Sequence, residues 1–583
     1  CAGHLFEAAV AHHAATGTRT LLDVAVRFAD HIDWIFEPGR RTEPPGHPEI
    51  EIGLIALADA TGDRRYLDLA AFLIDARGRT EGRESYGAYA QDHQPVAAQT
   101  EAVGHAVRAA YLFTGMADLA MRVDRPDDVA ALDRLWTNVV GAKLYITGGI
   151  GASASGEAFG ADYELPNESA YAETCGAIAN VIWNDRMARL HRDVRAADII
   201  ERALYNGFLV GVSVPGDTFF YPNPLATDGV HPFNHGSPER SPWFDCACCP
   251  SNDVRAMEWI PGLIYARNER GGVHVNQYAP GVAAITVDGR EVALTQETDY
   301  PWDGRIRIRV RAADGRPVAM ALHLRLPGWA RGEPVPGDLY RDLTPPDPAA
   351  IRCTVNEQAV PIRPQDRAVT IERPFAADDV ITLDLPMPVR RVIAHDAVVA
   401  DRGLVALERG PIVYCLEGVD HGGRARHIAL PDDAPIEASM DAATGMVVIT
   451  GHGLARHRDP TTLEVLTSDQ PIRAIPYHAW NHRGATEMTV WMPRDVDDTL
   501  VPPTPTAASS GRASASHTWA SDRAGAVNDQ REPRRSSDET VPRFTWWDHR
   551  GTTEWLQLDF PAPTTVSRVA VYWFDDSGRG ACR

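Results

Sequence analysis

The chain has 583 residues, 44% of them hydrophobic, and its 79 acidic against 57 basic side chains give a formal charge of −22 and a pI near 5.4. That length exceeds what one hydrophobic core supports and predicts roughly two to four domains. The acidic balance excludes nucleic acid or an anionic membrane as the main partner, since a polyanion is bound by a basic face, and no apolar run approaches the roughly 18 residues that a membrane span needs.

The opening "CAGHLFEAAV" shows neither an initiator methionine nor a signal peptide, so the true N-terminus is expected upstream. From residue 1 to about 265 the apolar period is helical: Leu21, Val24, Ala25, Phe28, Ile32 and Ile35 recur at three and four, as do Ile199, Ile200, Ala203, Leu204 and Phe208. The stretches "TGTRTLLDVA" at 16 and "TGDRRYLDLA" at 61 share one skeleton 45 residues apart. Such a period predicts helical hairpins, with Thr-Gly ending one helix of each. Hairpins of this kind close into an (α/α) toroid or a superhelix; the toroid is expected, because its loops can converge on one pocket.

After about residue 270 the period falls to two, as in "IRIRVR", "MALHLRLPGW" and "DVITLDLP". The expected organisation is a helical catalytic domain over 1–268, a β-sandwich over 269–390, a second over 391–500, a Pro/Ser/Thr/Ala linker over 501–516 and a partial module over 517–583. The fold class is multidomain α + β, a toroid followed by β-sandwiches.

Eight cysteines are too sparse for a disulfide scaffold, yet Cys175, Cys246, Cys248 and Cys249 fall within 75 residues. In "AETCGAIANVIW", Glu173 and Cys175 are two apart, and on a regular helix such positions face apart, so both serve one site only at a helix start or on a loop. In "FDCACCPSND", Cys248 and Cys249 converge only on irregular backbone, which Pro250 would supply by holding Cys249 out of the α region. Together Glu173, Cys175, Cys248 and Cys249 make a donor set suited to Zn²⁺, whose spacing follows no known zinc finger. Buried free cysteines are the alternative reading, and a disulfide within 246–249 is disfavoured by loop strain. A thiolate on such a cation could act as a nucleophile, while a filled four-donor site is more often structural. The Gly-rich "YITGGIGASASGEAFGADYELPNE" offers four carboxyls, Glu157, Asp162, Glu164 and Glu168, any of which could protonate a leaving group if its surroundings raise its pKa. His4, His47, His93, His105 and Tyr221 fall at loop–helix junctions, where they could line a pocket for a polyol.

At "GEAFGADYELPNESAYAETC" and "CCPSN" the chain resembles glycoside hydrolase family 127, whose characterised members are β-L-arabinofuranosidases. "CAGHL", "TGDRRYLDLA", "QDHQPV", "EAVGHAVRAAYL", "ERALYNGFL", "FFYPNPL", "LRLPGWA", "LERGPIVYCLEG" and "IPYHAWNHRG" extend the resemblance to about residue 495. It implies an (α/α)₆ barrel carrying β-sandwiches and a retaining mechanism with a zinc-bound cysteine as nucleophile. Matched by motif, Glu157 resembles the general acid/base, Glu173, Cys175, Cys248 and Cys249 the zinc ligands, and Cys248 the nucleophile. His4, His47, His105, Glu201 and Tyr221 resemble residues that hold the furanose. The implied partner is an arabinose-containing oligosaccharide or glycan, with neither nucleic acid nor membrane, and a homodimer is compatible with it. A cytoplasmic location suits reduced thiolates.

Where the family carries Pro-Pro-Asn after the double cysteine, this chain has Pro250-Ser251-Asn252, a change expected to loosen that turn. The family pattern begins upstream of residue 1, so N-terminal helices of the barrel are expected to be missing. From about 513 the chain resembles a truncated discoidin-like, carbohydrate-binding sandwich, with "RFTWWDHRGTTEW" as sugar-stacking aromatics or a tryptophan core. Cys246 is expected to be a buried bystander. Two other functions fit the same residues: a zinc-stabilised carbohydrate-binding scaffold without catalysis, and the same chemistry on another furanose.

Overall fold

The computed structural model describes residues 1–573 apart from 37–38, 460–461, 463, 502–505, 520–521 and 532–541, so Cys582 lies outside the described residues. The N-terminal half is helical and sheet-rich regions follow it. Among the described residues up to 259 there are nine α-helices: α1 (Ala2–Thr16), α2 (Thr20–Ile35), α3 (Ile50–Thr61), α4 (Arg65–Ala76), α5 (Ala106–Ala120), α6 (Pro126–Asn138), α7 (Thr174–His191), α8 (Val194–Arg202) and α9 (Cys249–Trp259). The Thr-Gly of the internal repeat falls at the ends of α1 and α3, where Gly17 and Gly62 adopt left-handed φ of 69° and 75° that glycine takes without penalty.

The odd-numbered helices pack side by side in chain order, α1 on α3, α3 on α5, α5 on α7 and α7 on α9, while α2, α4, α6 and α8 each back their own hairpin partner. Burial follows this layering. Helix α5 is enclosed from Ala109 to Leu119 and α7 from Thr174 to Asp185, which explains why α7 shows no polar stripe in the sequence. Its two buried asparagines are satisfied: Asn180 Nδ2 donates to the Gly148 carbonyl at 3.0 Å, and Asn184 Oδ1 accepts from Trp136 Nε1 at 2.8 Å.

Two sheets follow. A six-stranded sheet runs Gln358–Ala359, Arg352–Val355, Val380–Asp384, Arg305–Ala312, Arg290–Glu297 and Gly281–Val287, and a four-stranded sheet runs Ala368–Phe375, Val318–Arg325, Val273–Val275 and Tyr265–Arg267. Alternate residues such as Leu294, Ile308 and Ile381 from the first meet Leu322, Leu324 and Ile371 from the second in one apolar core. The next strands, centred on Leu404–Arg409, Ile412–Glu417 and the long hairpin Met446–Arg458/Val465–Pro476, are hydrogen-bonded into one branched eleven-stranded sheet. That sheet also recruits Ala226–Asp228 from the helical half and Tyr340–Asp342 from the preceding region. Beyond residue 506, Arg512–Ala515 pairs with Leu556–Asp559, and Trp547 and Trp555 are 44% and 52% exposed, so neither is a core residue.

Consecutive residues at the end of α8 lock the helices onto both sheet regions. Glu201 accepts from Tyr300 at 2.6 Å, Arg325 at 2.5 Å and Trp329 at 3.1 Å. Arg202 donates to Glu408 at 2.5 Å, and Glu408 also accepts from Arg390 at 2.6 Å. Asn206 receives the Val413 N–H at 2.8 Å and donates to the Pro411 carbonyl at 2.9 Å.

Candidate active site

Every inner helix brings chemistry to the same end. His4 is in the first turn of α1, His47 and Glu49 precede α3, His105 is the N-cap of α5, Glu173 the N-cap of α7, and Cys248 the N-cap of α9. These helix starts present unpaired N–H groups and the positive ends of their dipoles, which favours anionic side chains there.

Cys175 lies in the first turn of α7 and Cys249 opens α9. The Cys175 and Cys248 sulfurs are 3.2 Å apart, too far for a disulfide, and Glu173 Oε1 is 3.5 Å from the sulfurs of both Cys248 and Cys249. The four donors all lie within 4.8 Å of one another. Glu173, Cys175 and Cys249 are buried, and Glu173 Oε2 has no hydrogen-bond partner.

The electrostatics follow. Burial pushes Glu173 and Cys249 up, and Cys175 is pushed up by the hydrogen bond it shares with Cys248. Cys248, receiving the S–H groups of Cys175 and then Cys249, is held far below an ordinary thiol. Three acids, Glu173, Cys175 and Cys249, are therefore pushed toward their protonated forms around the Cys248 sulfur, the behaviour of a donor set that a divalent, thiophilic cation neutralises by displacing those protons. The residues fit a metal.

The local backbone differs from expectation at three points. Cys249 is helical, with Pro250 in the first turn where its missing N–H costs nothing, and the irregular residue is Cys248, at φ −88° and ψ −80°. Ser251 does not loosen the turn: its hydroxyl donates to the carbonyls of Ala247 at 2.5 Å and Cys248 at 3.0 Å. Cys246 is exposed rather than buried, because its loop has left the core before α9 begins.

Beside the sulfurs stands Glu157. It is held at φ 50° after Gly156 at φ 71°, a left-handed pair unusual for a glutamate. Its carboxylate meets His105 Nε2 at 2.5 Å and accepts from the Tyr171 hydroxyl at 2.9 Å. His105 Nδ1 accepts the Arg108 backbone N–H at 3.4 Å, which leaves Nε2 to carry the proton toward Glu157. Ligand atoms of His105, Glu157 and Glu173 lie within 4.8 Å of one another, joining this triad to the sulfur cluster. The His105 hydrogen bond, reinforced by Tyr171, holds the Glu157 carboxyl below its ordinary value, opposite to the rise expected of an acid catalyst. The other loop carboxyls are engaged elsewhere: Asp162 accepts from Asn138, Glu164 from the Ala161 N–H, and Glu168 pairs with Arg426.

An aromatic wall continues from this triad. His47 lies 6.0 Å from His105 and 5.8 Å from Tyr111, His4 lies 6.3 Å from Tyr111, and Tyr221 lies 6.2 Å from Tyr171. Tyr221 is set by long-range braces. Thr174 takes the carbonyl of Phe220 at 2.9 Å through its hydroxyl and that of Tyr221 at 3.0 Å through its backbone N–H. Trp480, in the turn that follows the strand Val465–Pro476, stacks on Phe220 at 4.8 Å, and Tyr477 donates to the Pro224 carbonyl at 2.9 Å. His4, His47, His105, Tyr221 and Glu157 are thus brought together with the cysteines, while His93 is exposed on a loop outside this wall.

Glu201 is not among them. Its carboxylate is buried and its partners come from the sheet region, so a residue expected to hold the sugar is a domain fastener. A shared motif cannot separate these roles, because both require a buried, fully bonded carboxylate. Glu201→Gln is expected to lower unfolding free energy by about 3 kcal/mol, as breaking a buried ion pair does, with KM unmoved in the fraction that stays folded; melting curves alongside steady-state kinetics measure both.

Tyr111, Tyr171 and Arg255 were not singled out in the sequence. Arg255, two turns into α9, donates to the Tyr111 hydroxyl at 2.5 Å and to Glu7 of α1 at 3.2 Å, tying the cysteine-bearing helix to the histidine wall. Its only sequence signal was its place seven residues after Cys248, on the same helical face.

Three family models match: "Beta-L-arabinofuranosidase, GH127 catalytic domain" over residues 1–262, "Beta-L-arabinofuranosidase, GH127 middle domain" over 272–387, and "Glycoside hydrolase family 127 C-terminal domain" over 389–493. A curated relative, the non-reducing end β-L-arabinofuranosidase of Bifidobacterium longum subsp. longum, is 32% identical over 530 residues, 84% of this chain and 78% of the relative. A solved GH127 β-arabinofuranosidase is 43% identical with a TM-score of 0.80, covering 86% of this chain and 77% of that one. A GH127 β-L-arabinofuranosidase from Geobacillus stearothermophilus T6 is 40% identical with a TM-score of 0.77, covering 85% and 79%.

Proposed function

The chain belongs to glycoside hydrolase family 127, and from that premise we propose that it is a retaining β-L-arabinofuranosidase that releases the terminal sugar of arabinose-containing oligosaccharides or glycans. The observation that supports this most is the joining of two devices at one helix-end pocket: a thiolate cluster around Cys248 and a carboxyl, Glu157, held by His105 and Tyr171. A purely structural cation site would use the first and leave the second without a task.

Glu173, Cys175, Cys248 and Cys249 would hold Zn²⁺, the cation that their mix of thiolates and one carboxylate suits best. When bound, zinc supplies the positive charge that keeps Cys248 deprotonated at neutral pH and its sulfur a good leaving group. His4, His47, His105 and Tyr221 would hold the furanose hydroxyls. In the first step Glu157 gives its proton to the glycosidic oxygen, the anomeric C–O bond breaks, and the electron pair of the Cys248 sulfur forms a C–S bond. In the second, Glu157 takes a proton from water, the water oxygen bonds the anomeric carbon from the vacated face, and the C–S electrons return to sulfur. Two inversions give net retention.

For Glu157 to act as an acid it must gain the proton it lacks beside His105. That proton comes from solvent between turnovers, while His105 Nε2–H, whose loss would leave an imidazolate, stays on the ring and positions the carboxyl. We further read the alternating inner and outer helices as part of an (α/α)₆ barrel, with the helical half as the catalytic domain, and a reducing cytoplasmic compartment as the one that keeps the exposed and half-buried thiols reduced.

A panel of nitrophenyl furanosides, assayed before and after chelation, tests the reading. The expected results are turnover confined to the β-L-arabinofuranoside, about one zinc per chain, and loss of both turnover and thermal stability on chelation, each restored by zinc. Full turnover after the metal is stripped would remove the cation from the reaction, and turnover of a different furanoside would replace the sugar.

A further inference from the structure

The segment 77–92 is a loop with an unusually strong internal frame. Asp92, fully buried, accepts from both Arg83 guanidinium nitrogens at 2.6 Å, from the Gly78 N–H at 2.6 Å and from the Tyr86 N–H at 2.8 Å. Burying an ion pair yields little net stability, so such a frame is more useful for fixing a shape than for holding a fold together. What it presents to solvent is a pair of tyrosines: Tyr86 and Tyr89 are 44% and 45% exposed.

Tyr89 is registered onto the site. Its carbonyl accepts the His105 N–H at 3.1 Å, and Gly104, at φ 72°, lets the two backbones touch, since a Cβ there would lie 2.0 Å from the Ala88 carbonyl oxygen. The ring stands edge-on to His105 at 5.7 Å, a Cβ at Gly156 would sit 3.5 Å from it, and the Arg108 guanidinium lies over it at 4.7 Å while donating to its hydroxyl at 3.3 Å. His105 and Gly156 are the neighbours of Glu157, in space and in sequence respectively. Tyr89 thus flanks the carboxyl that meets the glycosidic oxygen, and the group beyond that oxygen is the leaving group.

We propose that Tyr89, held flat by Arg108 and exposed beside Glu157, is the platform on which the leaving-group residue, a second saccharide ring, packs its C–H face. The proposal rests on the glycosidase reading above and extends it to the substrate: a chain of at least two sugars is preferred over a glycoside with a small alkyl aglycone. Arg108 covers the ring and contributes positive charge near saccharide hydroxyls, and the frame around Asp92 removes the entropy that a mobile aromatic would lose on binding.

The test is the ratio of kcat/KM on a disaccharide with β-L-arabinofuranose at its non-reducing end to kcat/KM on methyl β-L-arabinofuranoside. Tyr89→Ala is expected to lower that ratio about five- to tenfold, Tyr89→Leu, with similar bulk and no flat ring, to lower it comparably, and Tyr89→Phe to hold it within about twofold. A ratio that stays at the wild-type value in both Tyr89→Ala and Tyr89→Leu overturns the platform while leaving the glycosidase reading intact. A ratio lost equally in Tyr89→Phe overturns it in favour of a hydroxyl contact. Wild-type protein that hydrolyses neither glycoside would remove the underlying reading, and the platform with it.

Discussion

Cys248→Ser is expected to lose about 10,000-fold or more in kcat on any β-L-arabinofuranoside, the scale seen when a nucleophile is removed from an otherwise intact site. The reason is chemical. Cys248 is the half-buried sulfur of the cluster while those of Cys175 and Cys249 are buried, so with zinc displacing the protons of all three it is the thiolate that a sugar can reach. A serine hydroxyl in the same place stays protonated at neutral pH and is a poor nucleophile and a poor leaving group. The fold is expected to survive, since Cys248 is an N-cap and serine caps helices well. Circular dichroism and zinc content would show an intact protein with three or four donors retained. Turnover within about tenfold of wild type in a folded, zinc-bearing Cys248→Ser protein would remove Cys248 as nucleophile and leave the cluster a structural one.

Glu157→Gln carries the second large effect, a fall of about 100- to 10,000-fold in kcat, with the size set by the leaving group. A nitrophenolate departs with little help, so its first step suffers least, and the slow step becomes hydrolysis of the sugar–Cys248 bond, where added azide, a nucleophile that needs no base, can take the place of water and release the glycosyl azide. A disaccharide needs protonation to depart and should suffer most. The sign of the pH effect is fixed by the role. Glu157 acts first as an acid, so wild-type kcat/KM falls as pH rises through the pKa of the group holding that proton, and the alkaline limb should vanish in the glutamine variant. The His105 and Tyr171 hydrogen bonds hold the free carboxyl below its ordinary value, so in the free enzyme that limb is expected at lower pH than an unperturbed glutamate would set. A variant that keeps the limb, or loses less than about tenfold on the disaccharide, would assign the proton to another residue.

Much of the site was legible as composition and little of it as geometry. Sparse cysteines gathered in 75 residues marked a cluster, and the spacing of Glu173 and Cys175 left a helix start or a loop, of which the structure shows the first. Choosing Glu157 among four loop carboxyls from the sequence depended on resemblance, since all four share one Gly-rich stretch. The structure separates them by their neighbours: a histidine and a tyrosine for Glu157, Asn138, the Ala161 N–H and Arg426 for the rest. The reverse happened at Glu201, where a motif suggested a sugar contact and the tertiary structure supplied Tyr300, Arg325 and Trp329 from another region of the chain. Pro250, expected to hold Cys249 out of the α region, instead sits in the first turn of the helix that Cys249 opens, because proline is barred from helix interiors and welcomed in their first turn.

By itself the sequence determined the periods of its elements, the left-handed glycines that end α1 and α3, and the kinds of donor available for chemistry. Each of these is a property of residues within a few positions of one another. The tertiary structure alone decided that the inner helices all start at one end, so that Cys175 meets Cys248 across 73 residues, and Arg255 meets Glu7 across 248. Local pattern cannot carry that information, because it resides in how the buried faces of α1, α3, α5, α7 and α9 choose one another, and in the Trp480 and Arg202 braces by which the sheets hold those helices in register.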